Sequence, residues 1–158
     1  MAFFWYFCDM QVLNFPIYDF RLRKKNNKTY IFDIVRKKFF LLTPEEWVRQ
    51  HSLHYLIIEK GYPLSLIAVE KHLYINGQLR RFDIVVFNRK MLPRILVECK
   101  APEVPLTQTV FDQANQYNYL LKAPYLFLTN GRKHIYCQVD FNNNTYRFLA
   151  QIPKNTGT

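Results

Sequence analysis

Glu98 and Lys100 stand two residues apart at the end of a short apolar run, Arg-Ile-Leu-Val-Glu-Cys, over 94–99. Side chains of a strand alternate between faces, so Glu98 and Lys100 share one face and Ile95, Val97 and Cys99 the other. A carboxylate and an ammonium there are expensive to bury unless paired or used. A second constraint comes from the runs 64–75 and 79–88, joined by Asn76-Gly77, a strong short hairpin signal. A two-residue loop pairs Ile75 with Gln78, and counting outward sets Val69 against Ile84, Ile67 against Val86 and Glu70 against Asp83. Opposed Cβ atoms are about 4.5–5.5 Å apart, so this register predicts two carboxylates that repel unless a cation sits between or beside them. A bulge would break the count. If strand 94–99 lies beside 79–88, Asp83, Glu70, Glu98 and Lys100 converge on one patch. Oxygen-rich clusters of this kind suit Mg²⁺, or Mn²⁺, which can neutralise a phosphate and lower the pKa of a bound water. Lys100 could orient that water or stabilise developing charge. Spacing alone is equally consistent with a surface salt-bridge network.

The elements that must position these residues can be read along the chain. Runs 17–23 and 29–35 are strand-like and flank a polar turn at 24–28, and Arg36-Lys37-Lys38 is a charged connection or an exposed strand start. Thr43-Pro44-Glu45-Glu46 reads as a helix start, with Thr43 as N-cap, Pro44 in the first position and Glu46 closing a capping box. Gly61 and Pro63 stop this helix near Lys60. Residues 106–122 have helical spacing, with Leu106, Val110, Gln113, Ala114, Tyr117, Leu120 and Leu121 on one face. Strand-like runs at 125–130, 133–140 and 145–152 follow, and the tail 153–158 should fray. The helix between 94–99 and 125–130 implies a parallel crossover. The expected fold is α/β, a mixed central β-sheet flanked by helices with extra N-terminal strands. It forms a single domain, divided as a 1–13 extension, strands over 14–42, a core over 43–153 and a tail over 154–158.

The 158 residues fit one ordinary domain, and 49% hydrophobic content supplies a core. The net charge of +10 favours a polyanion, nucleic acid first, as the partner. Cys8, Cys99 and Cys137 are scattered, with no CxxC pair, which argues against structural zinc and fits a reducing, cytoplasmic setting. The apolar stretch Ala2–Cys8 lacks a basic leader and a cleavage site, and it is too short to span a membrane. It reads as an edge strand, or as an extension upstream of a start at Met10.

Arg81-Phe82-Asp83-Ile84-Val85-Val86-Phe87 and Val97-Glu98-Cys99-Lys100-Ala101-Pro102 resemble the two strand motifs of the PD-(D/E)xK nuclease superfamily. They resemble most closely the N-terminal nuclease domain of type I restriction enzyme R subunits, in its small stand-alone form. Asp112-Gln113-Ala114-Asn115-Gln116-Tyr117 is similar to that family's following QxxxY motif, and Leu42–Gln50 to its first helix, which often carries an acid. The resemblance spans residues 14–153. It implies a restriction-endonuclease-like core, with Asp83 and Glu98 as metal ligands, the Cys99 carbonyl as another and Lys100 as the catalytic lysine. Glu46 would complete the acidic set, and Gln113 would belong to the site. The implied activity is Mg²⁺-dependent hydrolysis of DNA phosphodiesters; the alternative is a non-catalytic nucleic-acid-binding or assembly module of a restriction system.

Plainer readings stand beside these. Glu46 is explained by capping, Glu70 by exposure at a strand end, Gln113 by a bond to a strand backbone and Tyr117 by core packing. The side chain of Cys99 reads as core. Arg80, Arg81, Arg89 and Lys90 are candidate phosphate contacts or plain exposed charges, and Tyr117 is a candidate base-stacking residue. His51, His54, His72 and His134 have no ligand spacing and suit surface or structural roles. Phe82 replaces the proline usual before the motif aspartate. No GxxxxGK[ST] occurs, so the ATP-driven translocation of longer family members is not expected here. Candidate partners are DNA, other restriction-system subunits and a second copy in a homodimer, with no membrane.

Overall fold

The computed structural model describes residues 10–157, so the expected N-terminal edge strand or extension over residues 1–9 lies outside the described residues. Two sheets form. Strands β1 (Leu22–Lys25), β2 (Lys28–Asp33) and β3 (Lys38–Leu41) make a small antiparallel sheet. Strands β4 (Ile67–Ile75), β5 (Gln78–Phe87), β6 (Pro93–Cys99), β7 (Tyr125–Thr129), β8 (His134–Asp140) and β9 (Thr145–Leu149) make a six-stranded sheet in chain order. Helix α1 (Pro44–His54) precedes this sheet, and α2 (Gln108–Leu121) joins β6 to β7. Among the described residues the β6–β7 pair is parallel and every other pair antiparallel, as the helical crossover through α2 requires. The expected mixed sheet flanked by helices is therefore the observed fold.

Alternation along the central strands divides the core. Ile84, Val86, Ile95, Val97, Cys99 and Phe127 pack with Trp47, Val48 and Leu53 on the α1 side. Val85, Leu96, Leu126 and Leu128 pack with Phe111, Ala114 and Leu121 on the α2 side. Central strands buried on both faces read as continuous apolar runs, as β6 and β7 do.

The Asn76-Gly77 hairpin has the register its two-residue loop requires, with Ile75 against Gln78, Val69 against Ile84 and Ile67 against Val86. Both turn residues have positive φ, at 50° and 73°, as a mirror-image turn demands. The count also places Glu70 opposite Asp83, yet the ladder skips this pair, and Glu70 has φ of 49°. A left-handed residue inside a strand is strained for any side chain but glycine. Phe82 correspondingly packs on the α2 side with Val85, breaking alternation with Ile84.

Some expected bounds shift. Residues 17–21 are irregular, with Tyr18 and Phe20 packed into the α1-side core, and β1 starts only at Leu22. The helix of 43–60 is α1 followed by a wide turn, Tyr55–Glu59, which ends at Lys60 before Gly61 at φ of 73°. The tail does not fray at its start. Ile152 is fully buried, Asn155 N–H donates to the Lys60 carbonyl at 2.8 Å, and Tyr62 donates to the Pro153 carbonyl at 2.8 Å.

The stripe of α2 that enters the core is Phe111, Ala114, Asn118 and Leu121. Ala114 and Leu121 of the expected face are in this stripe and Leu106 and Val110 pack against it, whereas Gln113 and Tyr117 are exposed and line an open cavity. Asn118 is a polar member of the buried stripe. Its buried amide accepts from Ala123 N–H at 3.0 Å and donates to the Ala123 carbonyl at 2.8 Å, fixing the turn after Lys122 at φ of 60°.

Candidate active site

The cavity beside α2 has a volume of about 470 Å³ and is bounded by β5, β6, α2 and the start of α1. Asp83, Glu98, Cys99, Lys100, Gln113 and Tyr117 line it, with Glu45 and Arg81 at its border. Five of the residues singled out by type and spacing thus meet at one place: Asp83, Glu98, Lys100, Gln113 and Tyr117.

Asp83 sits where β5 leaves β6. Regular pairing of these strands reaches Ile84–Val97, and beyond it Asp83 Oδ2 accepts the Cys99 N–H at 2.8 Å. The carboxylate thereby replaces a ladder bond and fixes the end of β6. Asp83 Oδ1 accepts from Arg49 Nη2 at 3.2 Å. Glu98 projects from β6 next to this carboxylate. Burial, and then the negative charge of Asp83, push its carboxyl up to about 8, against the pull of Lys100. Glu98 Oε1 is buried without a hydrogen-bond partner.

Two carboxylates side by side, one with an orphaned buried oxygen, form a donor set that suits a hard divalent cation. Among the described residues no group of three or more His, Cys, Asp or Glu side chains could hold a metal ion. A cation at Asp83 and Glu98 would take its remaining ligands from water or a phosphate oxygen. Cys99 borders the cavity, but its thiol packs in the α1-side core, where burial and the Asp83 charge raise its pKa well above the ordinary range. Only its main chain can serve the site.

Glu46 and Glu70 stand apart from Glu98. Thr43 Oγ1 caps the helix by accepting from Glu46 N–H at 3.1 Å, but the Glu46 carboxylate does not complete the box. It accepts from Arg36 Nη2 at 2.6 Å, from Gln50 at 2.9 Å and from Arg49. Glu70 accepts from Arg36 Nη1 at 3.2 Å and pairs with Arg49 at 3.7 Å and Arg81 at 3.8 Å. The cation that the Glu70–Asp83 register calls for is thus the Arg49 guanidinium. Burial opposes the charge of Arg49, but the carboxylates of Glu46, Asp83 and Glu70 outweigh burial and raise its pKa. Asp33 extends the network, accepting from Arg36 Nε at 2.7 Å and Gln50 at 2.9 Å.

Of the candidate phosphate contacts, Arg81 borders the cavity and Arg80 lies over the Tyr117 ring at 5.9 Å. Arg89 and Lys90 are exposed in the turn after β5, roughly 20 Å along the strand from Asp83. Arg49, Gln50 and Asp33 were not singled out by sequence reasoning, and Arg36, read as part of a charged connection or exposed strand start, is instead mostly buried among acids. For Arg49 the signal was available: Glu45 and Glu46 precede it by four and three residues on one helix face. Three histidines keep structural places: His51 and His54 are buried, each with Nδ1 2.9 Å from the carbonyl four residues back, and His134 Nδ1 is 2.8 Å from Thr129 Oγ1, while His72 is exposed on β4.

Residues 44–153 match the family described as type I restriction enzyme R protein N terminus (HSDR_N). Among solved structures, a fragment of a protein described as an HsdR subunit of a type I restriction enzyme from Vibrio vulnificus YJ016 superposes with a TM-score of 0.51 at 20% identity. The match covers 72% of this chain and 24% of that one, so the chain spans about a quarter of the relative's length. At that identity the likeness carries the fold alone. No curated protein matches. Among the described residues no helix is long and apolar enough to cross a membrane.

Proposed function

The chain belongs to the family of the type I restriction enzyme R protein N terminus, and from that premise we propose that it is a Mg²⁺-dependent nuclease hydrolysing DNA phosphodiester bonds, with Mn²⁺ as a substitute. The observation that carries the reading is the Asp83–Glu98 pair, whose buried Glu98 oxygen has no partner, beside Lys100 in an open polar cavity.

Asp83, Glu98 and the Cys99 carbonyl would hold the cation, which supplies charge neutralisation at phosphate and a more acidic bound water. The protein's own residues supply the rest. Asp83, anchored by Cys99 N–H and Arg49, keeps a fixed orientation toward the cavity. Glu98, whose carboxyl is pushed up to about 8 by burial and by Asp83, would bind a cation as the carboxylate, its proton going to solvent, since a positive charge there would offset the repulsion from Asp83. Lys100 follows Glu98 by two residues and brings an ammonium to the same cavity, where it can orient the attacking water or stabilise charge on the phosphoryl oxygens. Gln113 and Tyr117 present an amide and a ring from α2, suited to hydrogen-bonding and stacking against the substrate strand. Glu46 and Glu70 support Arg36 and Arg49 in this reading and leave cation binding to Asp83 and Glu98. Other restriction-system subunits and a second copy of the chain are proposed partners of the whole assembly.

The test is cleavage of linear, circular, branched and single-stranded DNA and of RNA with Mg²⁺ or Mn²⁺. Lys100→Ala and Glu98→Gln would run beside wild type, all checked for folding. Cleavage by wild type alone is expected. If wild type cuts nothing while binding DNA, the non-catalytic binding module takes its place.

A further inference from the structure

Eight of the 22 Lys and Arg residues fall within residues 21–38, which contain a single acid, Asp33. That acid is buried and bonded to Arg36 and Gln50, so it offers nothing to the surface. The segment is the small sheet β1–β2–β3, which precedes the family-matched region 44–153.

The sheet has two unlike faces. Leu22, Ile31 and Phe40 are cross-strand partners, and Ile31 is fully buried, so this face packs on the core. The opposite face carries Arg23 against Tyr30, Phe32 against Phe39 and, at the hairpin end, Lys25 against Lys28. Arg21 lies over Phe32 at 4.4 Å, and Arg23 over Phe39 at 4.4 Å. A guanidinium laid flat on a ring keeps its charge, loses less freedom on forming hydrogen bonds and turns its N–H edge outward. Arg21, Arg23, Lys25 and Lys28 are all exposed. Like charges directly opposed across two strands destabilise a hairpin, so the Lys25–Lys28 pair is a cost that a bound anion would remove.

The same sheet is fastened to the candidate active site. Arg36, in the turn between β2 and β3, bonds Glu46 at 2.6 Å and Glu70 at 3.2 Å, and both acids also pair with Arg49, which holds Asp83.

We propose that the outer face of β1–β3, through Arg21, Arg23, Lys25 and Lys28, is a docking surface for the phosphate backbone of duplex DNA. This deepens the nuclease reading and rests on it for the choice of DNA over another polyanion. An array of guanidiniums and ammoniums whose segment, residues 21–38, holds no acid but the buried Asp33 fits a run of phosphates, contacts that position a duplex without reading its bases. The surface therefore supplies sequence-independent affinity, and the cavity supplies the chemistry. An acidic protein partner is the competing occupant.

The test is fluorescence anisotropy of the full chain with a labelled duplex of about 24 base pairs, in EDTA so that nothing is cut, across a salt series. Arg23→Gln/Lys28→Gln is compared with Lys133→Gln/Lys154→Gln, which removes equal charge elsewhere; thermal melts check that both fold. The expected result is about tenfold weaker binding by Arg23→Gln/Lys28→Gln, with the log–log salt slope reduced by about two, and at most about twofold loss in the control. Equal losses in both variants, no loss in either, no binding by wild type, or equal preference for RNA duplex would overturn the proposal. Cleavage that persists while Arg23→Gln/Lys28→Gln binds normally removes this surface and leaves the nuclease reading standing. Normal effects on binding with no cleavage by wild type do the reverse.

Discussion

Arg49 donates to Asp83 Oδ1 from a distance of 3.2 Å, so a residue of α1 holds the acid that ends the regular pairing of β5 with β6. The same guanidinium bonds Glu46 and approaches Glu70 at 3.7 Å. Arg49 is therefore the bridge by which the first helix sets the orientation of a carboxylate on the central sheet.

Removing that bridge should be costly. Arg49 is 4% exposed, and its loss strands the nearly buried Asp83 without a cation, while Glu46 keeps Arg36 and Gln50. Breaking a buried pair from one side typically costs about 3–5 kcal/mol. Arg49→Ala should lose that much stability in urea unfolding, and Arg49→Lys should lose less, because it keeps the charge but not the fork that reaches two acids. A loss below about 1 kcal/mol for Arg49→Ala would show that these pairs behave as surface ion pairs.

Glu98 gives a test of the cation site that needs no turnover. Burial and Asp83 hold its carboxyl protonated up to about 8, so near neutral pH Glu98→Gln replaces one neutral group with another. The variant should melt within a few degrees of wild type in EDTA. Wild type should gain several degrees in millimolar Mg²⁺ or Mn²⁺, and Glu98→Gln should gain almost none, because a ligand stabilises only the state that binds it. Equal gains in the two proteins would remove Glu98 from the ligand set.

The hairpin, the crossover helix and the shared face of Glu98 and Lys100 were legible because each depends on local rules, whereas their meeting with Asp83 rested on the pairing of β5 with β6 and on the motif resemblance. Asn76-Gly77 fixes a register, strand alternation puts Glu98 and Lys100 on one face, and a helix between strands forces parallel pairing. The fates of Glu46 and Glu70 were not legible. Glu46 and Arg49 are three apart on α1, but Arg36 comes from a turn of the small sheet and Glu70 from β4, and no short-range spacing announces that these two join the pair. The face of α2 was legible only in part, for a related reason. Apolar periodicity found Ala114 and Leu121 but missed Phe111 and the buried Asn118, which is polar and satisfied by Ala123. A buried polar residue that caps its own turn does not register in a hydrophobic pattern.

The Asn118 arrangement can be tested on its own. Asn118→Ala should destabilise the chain by about 2–3 kcal/mol in denaturant titration, since it leaves both polar groups of Ala123 without their buried partner. Lys122→Gly should act oppositely, by up to about 1 kcal/mol, because glycine adopts the φ of 60° there without strain. A neutral Asn118→Ala would mean that the turn holds by packing alone.

Acid should weaken the fold through the histidines of α1. His51 is enclosed by Trp47, Phe20 and Phe15, at ring-centre distances of 4.2, 4.7 and 5.6 Å. Burial lowers its pKa from 6.5 to about 4, against the pull of the Trp47 carbonyl, and burial lowers His54 as well. The folded chain thus refuses a proton that the unfolded chain accepts below about 6.5. The contribution of His51 is fully present above 6.5, declines as pH falls, and is gone below about 4. At pH 5 the loss from this residue is about 2 kcal/mol. Urea unfolding at pH 7.5 and pH 5 should show at least that difference in wild type, and His51→Gln should show a difference smaller by about the same amount. An unchanged pH dependence in His51→Gln would mean that the imidazole accepts a proton in the folded chain, and that its aromatic enclosure opens to water.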